Sequence, residues 1–124
     1  MLALVRDTLP AHVSPVFVLQ PEARGLGHAV LCAKPAVTPG ERFGVILPDD
    51  FIVNREIGAL AQMAAVQAEH GGSVIAVEPV DPQLTGRYGI VAGHAVSDRL
   101  LRIESMVGKP EPAVAPSNLA VVGR

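Results

Sequence analysis

The chain has no tryptophan, one tyrosine and three phenylalanines, so large rings cannot build its core. Cys32 is its only cysteine, which excludes an intrachain disulfide and a cysteine metal cluster. Val30, Leu31 and Ala33 surround that thiol with apolar neighbours and predict that it is buried. No apolar run approaches the ~20 residues of a membrane-spanning helix. Met1 to Val5 is followed at once by Arg6 and Asp7, without the layout of a secretory leader. A cytoplasmic protein with no membrane partner is the default expectation. Charge of one sign is also missing: ten Lys and Arg against twelve Asp and Glu give a formal net charge of -2. Nucleic acid is not expected as a partner, because phosphate backbones are bound by clustered basic surfaces.

What is present is 124 residues, 49% of them hydrophobic, with 12 glycines and 11 prolines. Such a length suits one small domain, and its apolar content suits a core of Val, Ile, Leu and Ala. Pro15 to Leu19 reads as a strand stopped by Gln20 and Pro21. Gly25 to Ala33 has apolar residues at helical spacing and ends at Lys34-Pro35. Phe43 to Leu47 reads as an interior parallel strand, broken by Pro48-Asp49-Asp50. Asn54 is a predicted cap for a helix over residues 55–69, which Gly71-Gly72 ends. Residues 73–77 supply the next buried strand. Shorter strands follow at 88–91 and 101–107, with a turn near Ser97-Asp98, an extended loop over 109–117 and a last strand from Leu119. Alternating strands and helices predict an α/β fold of Rossmann-like type, with a mainly parallel sheet flanked by helices. Three central parallel strands are few for a free-standing sheet of this kind, so the pattern predicts an incomplete one.

In open α/β sheets, ligands bind beyond the carboxyl ends of the strands. Gln20, the Asp49-Asp50 pair and Glu78 fall at such ends. A glutamine amide both donates and accepts, as the edge of a nucleobase requires. Gly25 and Gly27 open the next helix, either as a plain entry turn or as a place where a ring or phosphate can approach backbone N–H groups. Asp49 and Asp50 are either a turn-and-cap pair or carboxylates that hold a divalent cation against phosphate, Asp49 being the favoured ligand. Lys109 is either a surface lysine or a phosphate contact. His12, His28, His70 and His94 share no metal-ligand spacing; His28 is read as supporting or packing, His70 as a helix-end residue, and the other two as solvated.

Several segments together resemble bacterial UTP–glucose-1-phosphate uridylyltransferases. They are Gln20 with residues 25–33 (GLGHAVLCA), residues 47–50 (LPDD), 72–78 (GSVIAVE), 88–91 (YGIV) and 115–124 (APSNLAVVGR). The resemblance implies transfer of a uridylyl group from UTP to glucose 1-phosphate with Mg²⁺, giving UDP-glucose and pyrophosphate. It implies Gln20, Gly25 and Gly27 at the nucleotide, Gly89 and Asn118 at glucose, Lys109 at the sugar phosphate and Asp49 at magnesium. It further implies a nucleotide-binding part over residues 1–78, a sugar-binding part over 79–124, and assembly beyond a monomer. Gly108 stands where the family has glutamate before Lys-Pro; a lost hydrogen bond of that charged kind costs roughly 1.5–3 kcal/mol. The family's glycine-rich triphosphate loop and its second metal aspartate fall outside Met1–Arg124. The resemblance therefore implies a central portion of that enzyme, inactive alone; a non-catalytic remnant or a sibling sugar-phosphate nucleotidyltransferase are the alternatives.

Overall fold

A computed structural model describes residues 8–49 and 51–123. The chain divides into two compact units, Met1–Phe43 and Gly44–Arg124. Among the first unit's described residues is a short helix, α1 (Leu26–Cys32), entered through Gly25 at φ 90° and closed by a 3-10 turn at Lys34–Ala36. Pro35 sits in the first turn of that 3-10 segment, where its missing N–H costs nothing, and ends the α-helical path as predicted. Cys32 is half-buried and free, not enclosed as its apolar neighbours suggested, because α1 has no fully buried face and Leu31 beside it is 60% exposed.

In the second unit, helix α2 (Ala59–His70) starts four residues later than its predicted beginning. Asn54 spends its side chain on a tighter turn: Oδ1 accepts from the Glu56 N–H at 2.9 Å, the local bond that asparagine offers instead of helix entry. Gly58 is the N-cap, and Gly71 at φ 71° followed by Gly72 at φ 70° ends the helix as expected. Strand β1 (Ala76–Pro79) follows, then β2 (Gly89–Ser97), β3 (Leu100–Gly108) and β4 (Leu119–Val122). They form one sheet in the order β1-β4-β2-β3, and every pairing is antiparallel.

The α/β content is as predicted, but the direction of the strands is not: the sheet is antiparallel where the pattern suggested a mainly parallel one. The two early apolar runs explain the difference. Residues 15–19 and 43–47 form no ladder, and Val16, Phe17, Leu19 and Ile46 are each at least 68% exposed. A strand is defined by its partner's N–H and C=O groups, and neither run has one among the described residues. The sheet is built instead from the hairpin and the return strand of the C-terminal third. Its centre holds the core: Ile90, Val91, Ala120 and Val121 are buried, with Thr85 beneath. The Thr85 hydroxyl donates towards the carbonyls of Pro82 at 3.0 Å and Pro110 at 3.3 Å, so a 3-10 segment (Pro82–Arg87) and the loop after β3 share one buried group.

Candidate nucleotide and sugar site

In the first unit the entry to α1 organises Gln20. Its Nε2 donates to the Gly25 carbonyl at 3.1 Å and lies 3.1 Å from His28 Nδ1. The Gly25 contact fixes which end of the amide is which, since an oxygen there would face another oxygen. Gln20 Oε1 and the Gly25 N–H have no partner among the described residues. An acceptor and a donor are therefore left for a ligand beside the same turn. Gly25 needs its glycine because φ 90° is a backbone that L side chains avoid. Gly27 has ordinary φ, and a Cβ there would meet nothing within 4 Å; the space above the helix entry is open.

In the second unit, hairpin register brings two predicted residues together. Gly89 pairs with Gly108 across β2 and β3, and the Lys109 N–H donates to the Tyr88 carbonyl at 2.8 Å. Lys109 is the only non-glycine residue with positive φ among those described, at 49°. An L residue in that region costs about 1–2 kcal/mol, so the lysine is held there against its backbone preference. Gly108 has strand backbone, and an added Cβ would meet nothing within 4 Å. Gly89 is tighter, its Cβ position being 3.8 Å from Val121 Cγ2.

Asn118 lies farther along. Leu119 pairs with Val91, two residues beyond Gly89, and Asn118 precedes it. Its Nδ2 donates to the Val80 carbonyl at 3.0 Å while its own carbonyl accepts from the Val80 N–H at 2.9 Å. The neighbouring Ser117 hydroxyl donates to the Val91 carbonyl at 2.5 Å and accepts from the Leu119 N–H at 2.9 Å. Asn118 is thus pinned at the start of β4, and no hydrogen bond joins it to Lys109.

Asp49 is exposed in the turn after Leu47-Pro48, without a partner among the described residues; Asp50 lies outside them. No group of three or more His, Cys, Asp or Glu side chains gathers as a cation cage among the described residues. One open carboxylate fits magnesium of a particular kind, the ion that keeps its waters and is held by one or two carboxylates plus substrate phosphates. Glu78 points to no such role: it is exposed within β1, opposite Ala120. No helix among the described residues is long and apolar enough to cross a membrane.

Sequence reasoning missed the tie between Gln20 and His28. Eight residues separate them, a distance with no periodic signature, and only the turn at Gly25 closes it. The αL backbone of Lys109 was equally invisible, although its position between Gly108 and Pro110 marked a tight bend.

These features are those of an α/β chain with an acceptor and a donor left open beside one turn of the first unit and a lysine in left-handed backbone beside a glycine in the second. The family model described as Nucleotidyl transferase matches residues 2–124, and the chain belongs to that family. It is 42% identical over 109 residues to a UTP–glucose-1-phosphate uridylyltransferase of Pseudomonas aeruginosa, covering 87% of this chain and 39% of that one. The same named enzyme of Haemophilus ducreyi is 42% identical over 131 residues, covering all of this chain and 44% of that one. Among solved structures, a UDP-glucose pyrophosphorylase from Acinetobacter baumannii superposes with a TM-score of 0.84 at 38% identity, over 98% of this chain and 44% of that one. A UDP-glucose pyrophosphorylase complexed with UDP-glucose gives 0.80 at 36% identity, over 85% and 40%. The resemblance drawn from the five segments is borne out, and the chain spans about two-fifths of the length of the relatives it matches.

Proposed function

We propose that this chain is the base- and sugar-reading portion of a UTP–glucose-1-phosphate uridylyltransferase, which converts UTP and glucose 1-phosphate to UDP-glucose and pyrophosphate. The observation that carries the reading is the state of Gln20. Both of its amide hydrogens face groups of its own turn, Gly25 O and His28 Nδ1, so Oε1 is left as a pure acceptor next to an unpartnered Gly25 N–H. Uracil offers a donor at N3 flanked by carbonyl acceptors. In the register that sets Oε1 at position 3 and the Gly25 N–H at position 4, uracil finds both partners, whereas cytosine would set its N3 acceptor against Oε1 and its amino donor against the N–H. Residues 1–78 would supply the nucleotide-reading part and 79–124 the sugar-reading part.

The reaction needs an attack by the glucose 1-phosphate oxygen on the α-phosphorus, in line with the departing pyrophosphate. No covalent intermediate is required, so positioning and charge complementarity do most of the work. Gln20, Gly25 and the open surface over Gly27 would orient the base. Gly89 and Asn118 would meet the glucose, and Lys109 would hold its phosphate and offset the charge of the attacking oxygen. The backbone strain at Lys109 supports this role, because a surface lysine with no task gains nothing from φ 49°. Asp49 would hold Mg²⁺, which supplies charge neutralisation at the triphosphate when bound.

Calorimetric titration of the chain with UMP and CMP tests the reading. UMP should bind at least about tenfold more tightly, which corresponds to roughly 1.4 kcal/mol of discrimination. Equal affinities, or no binding of UMP, would remove the base-reading assignment and the uridylyl specificity with it.

A further inference from the structure

His28 Nδ1 faces two groups that it cannot serve together. Gln20 Nε2 lies 3.1 Å away and can only donate; the Glu22 carbonyl lies 3.2 Å away and can only accept. Nδ1 must either accept from the amide or donate to the carbonyl. The rest of the turn decides between them. The Glu22 carbonyl already accepts from the Arg24 N–H at 2.9 Å, whereas the second amide hydrogen of Gln20 has no other acceptor among the described residues. Neutral His28 therefore has its proton on Nε2, towards Cys32 Sγ at 3.8 Å, and accepts from Gln20 on Nδ1. A proton added to Nδ1 reverses the preference: the N–H turns to the Glu22 carbonyl and repels the Gln20 amide.

We infer that His28 is a positioning residue for Gln20, holding the amide so that Oε1 faces the base, and that protonation of the imidazole releases it. This inference rests on the uracil-reading role given to Gln20 above. The charged and titratable groups around the ring are few. Glu22 and Arg24 pair with each other at 2.5 Å on the loop side, and Cys32 faces Nε2 from the following turn of α1. Glu22 reaches the ring through its carbonyl, not its carboxylate. Asparagine has an oxygen about where Nδ1 stands and does not titrate, which makes it the replacement that separates position from protonation.

The experiment measures UMP affinity across the acid-to-neutral range for the unaltered chain, His28→Ala and His28→Asn, with circular dichroism on each. His28→Ala should weaken UMP binding about fivefold or more and leave glucose 1-phosphate binding unchanged, and His28→Asn should restore most of the loss. The affinity ratio of the unaltered chain to His28→Asn should fall as pH falls through the imidazole titration; taking the ratio cancels the titration of the nucleotide phosphate. Nitrogen-15 spectra of the ring should show Nδ1 without a proton in the neutral form. Unchanged UMP affinity in a folded His28→Ala, a pH-independent ratio, or a proton on Nδ1 at neutrality would each overturn the inference. Should His28→Ala fail to fold, the pH-dependent ratio and the ring spectrum decide. If the unaltered chain binds no UMP at any pH, the uridylyl reading falls first and this inference falls with it; if it binds and His28→Ala binds equally, only the inference falls.

Discussion

Lys109 and Gly108 set sequence preference against backbone preference in adjacent positions. The lysine occupies φ 49°, where glycine is comfortable, and the glycine occupies strand backbone, where any residue is comfortable. Lys109→Gly should therefore leave thermal stability unchanged or raise it by about 1 kcal/mol, the relief of left-handed strain. The same substitution should weaken glucose 1-phosphate binding, with UMP binding intact. A stable variant that keeps its sugar-phosphate affinity would make Lys109 a bystander. Gly108→Glu tests the neighbour. The open space around that position accepts the side chain, and a carboxylate able to take hydroxyl hydrogen bonds should tighten glucose 1-phosphate roughly ten- to hundredfold. Equal gains for UMP and the sugar phosphate would count against a sugar contact. Glu41 supplies a residue-scale pH effect. Its carboxyl titrates below the ordinary carboxylate range because the Thr38 N–H donates to it at 2.9 Å. A lowered folded value means the ionised form favours the turn: the contribution is present above the ordinary range and fades as pH falls through the lower folded value. Side-chain NMR of Glu41 should show that lowered midpoint, and Thr38→Pro, which removes the N–H, should bring it back to the ordinary range.

At the scale of elements, the β2–β3 hairpin is the part that cannot bend to substitution. Its register slips between Ala92 and Gly93, and a Cβ on Gly93 would run into the Arg102 carbonyl oxygen, a backbone atom that has no rotamer to escape by. Gly93→Ala should cost on the order of 1–3 kcal/mol and broaden the amide spectrum of both strands; a variant with an unchanged unfolding midpoint would mean the bulge relaxes freely. The hairpin was legible in part because its information is local: apolar runs at 88–91 and 101–107 and a polar turn near Ser97-Asp98 marked it, but β2 continues to Ser97, well past the predicted 88–91. Helix α2 was legible at its Gly71-Gly72 end for the same reason. Its start was not, since Asn54 makes an equally local bond in a different turn. The parallel sheet was misjudged for a deeper reason. Residues 15–19 and 43–47 have strand composition, but pairing is a property of two segments, and a single run says nothing about whether its partner is there. Of the candidate site, Gln20 with Gly25 and Gly89 with Lys109 come together as neighbours, while the His28 contact depends on a backbone turn that no spacing rule encodes.

For the whole molecule, near-neutral charge matters more than any single contact. With a formal net charge of -2, the chain would not draw a triphosphate by its overall field, so on the proposed reading affinity would come from a few placed groups and from a cation that accompanies the nucleotide. Ligand binding to the folded form alone raises stability by an amount set by concentration over Kd, about 2.7 kcal/mol at a hundredfold excess. UTP with magnesium should therefore raise the unfolding midpoint more than UMP does at equal multiples of the UMP Kd. Adding a chelator should reduce the UTP gain towards the UMP value and leave the UMP gain alone, because only the triphosphate recruits the ion. Asp49→Asn should remove the same increment in the presence of magnesium, since the amide keeps the shape of the turn and loses the anionic oxygen that a hard cation prefers. A chelator without effect would leave magnesium no part in binding. A chelator effect that survives in Asp49→Asn would locate the ion on the phosphates alone, and Asp49 would then be no more than the exposed end of a turn.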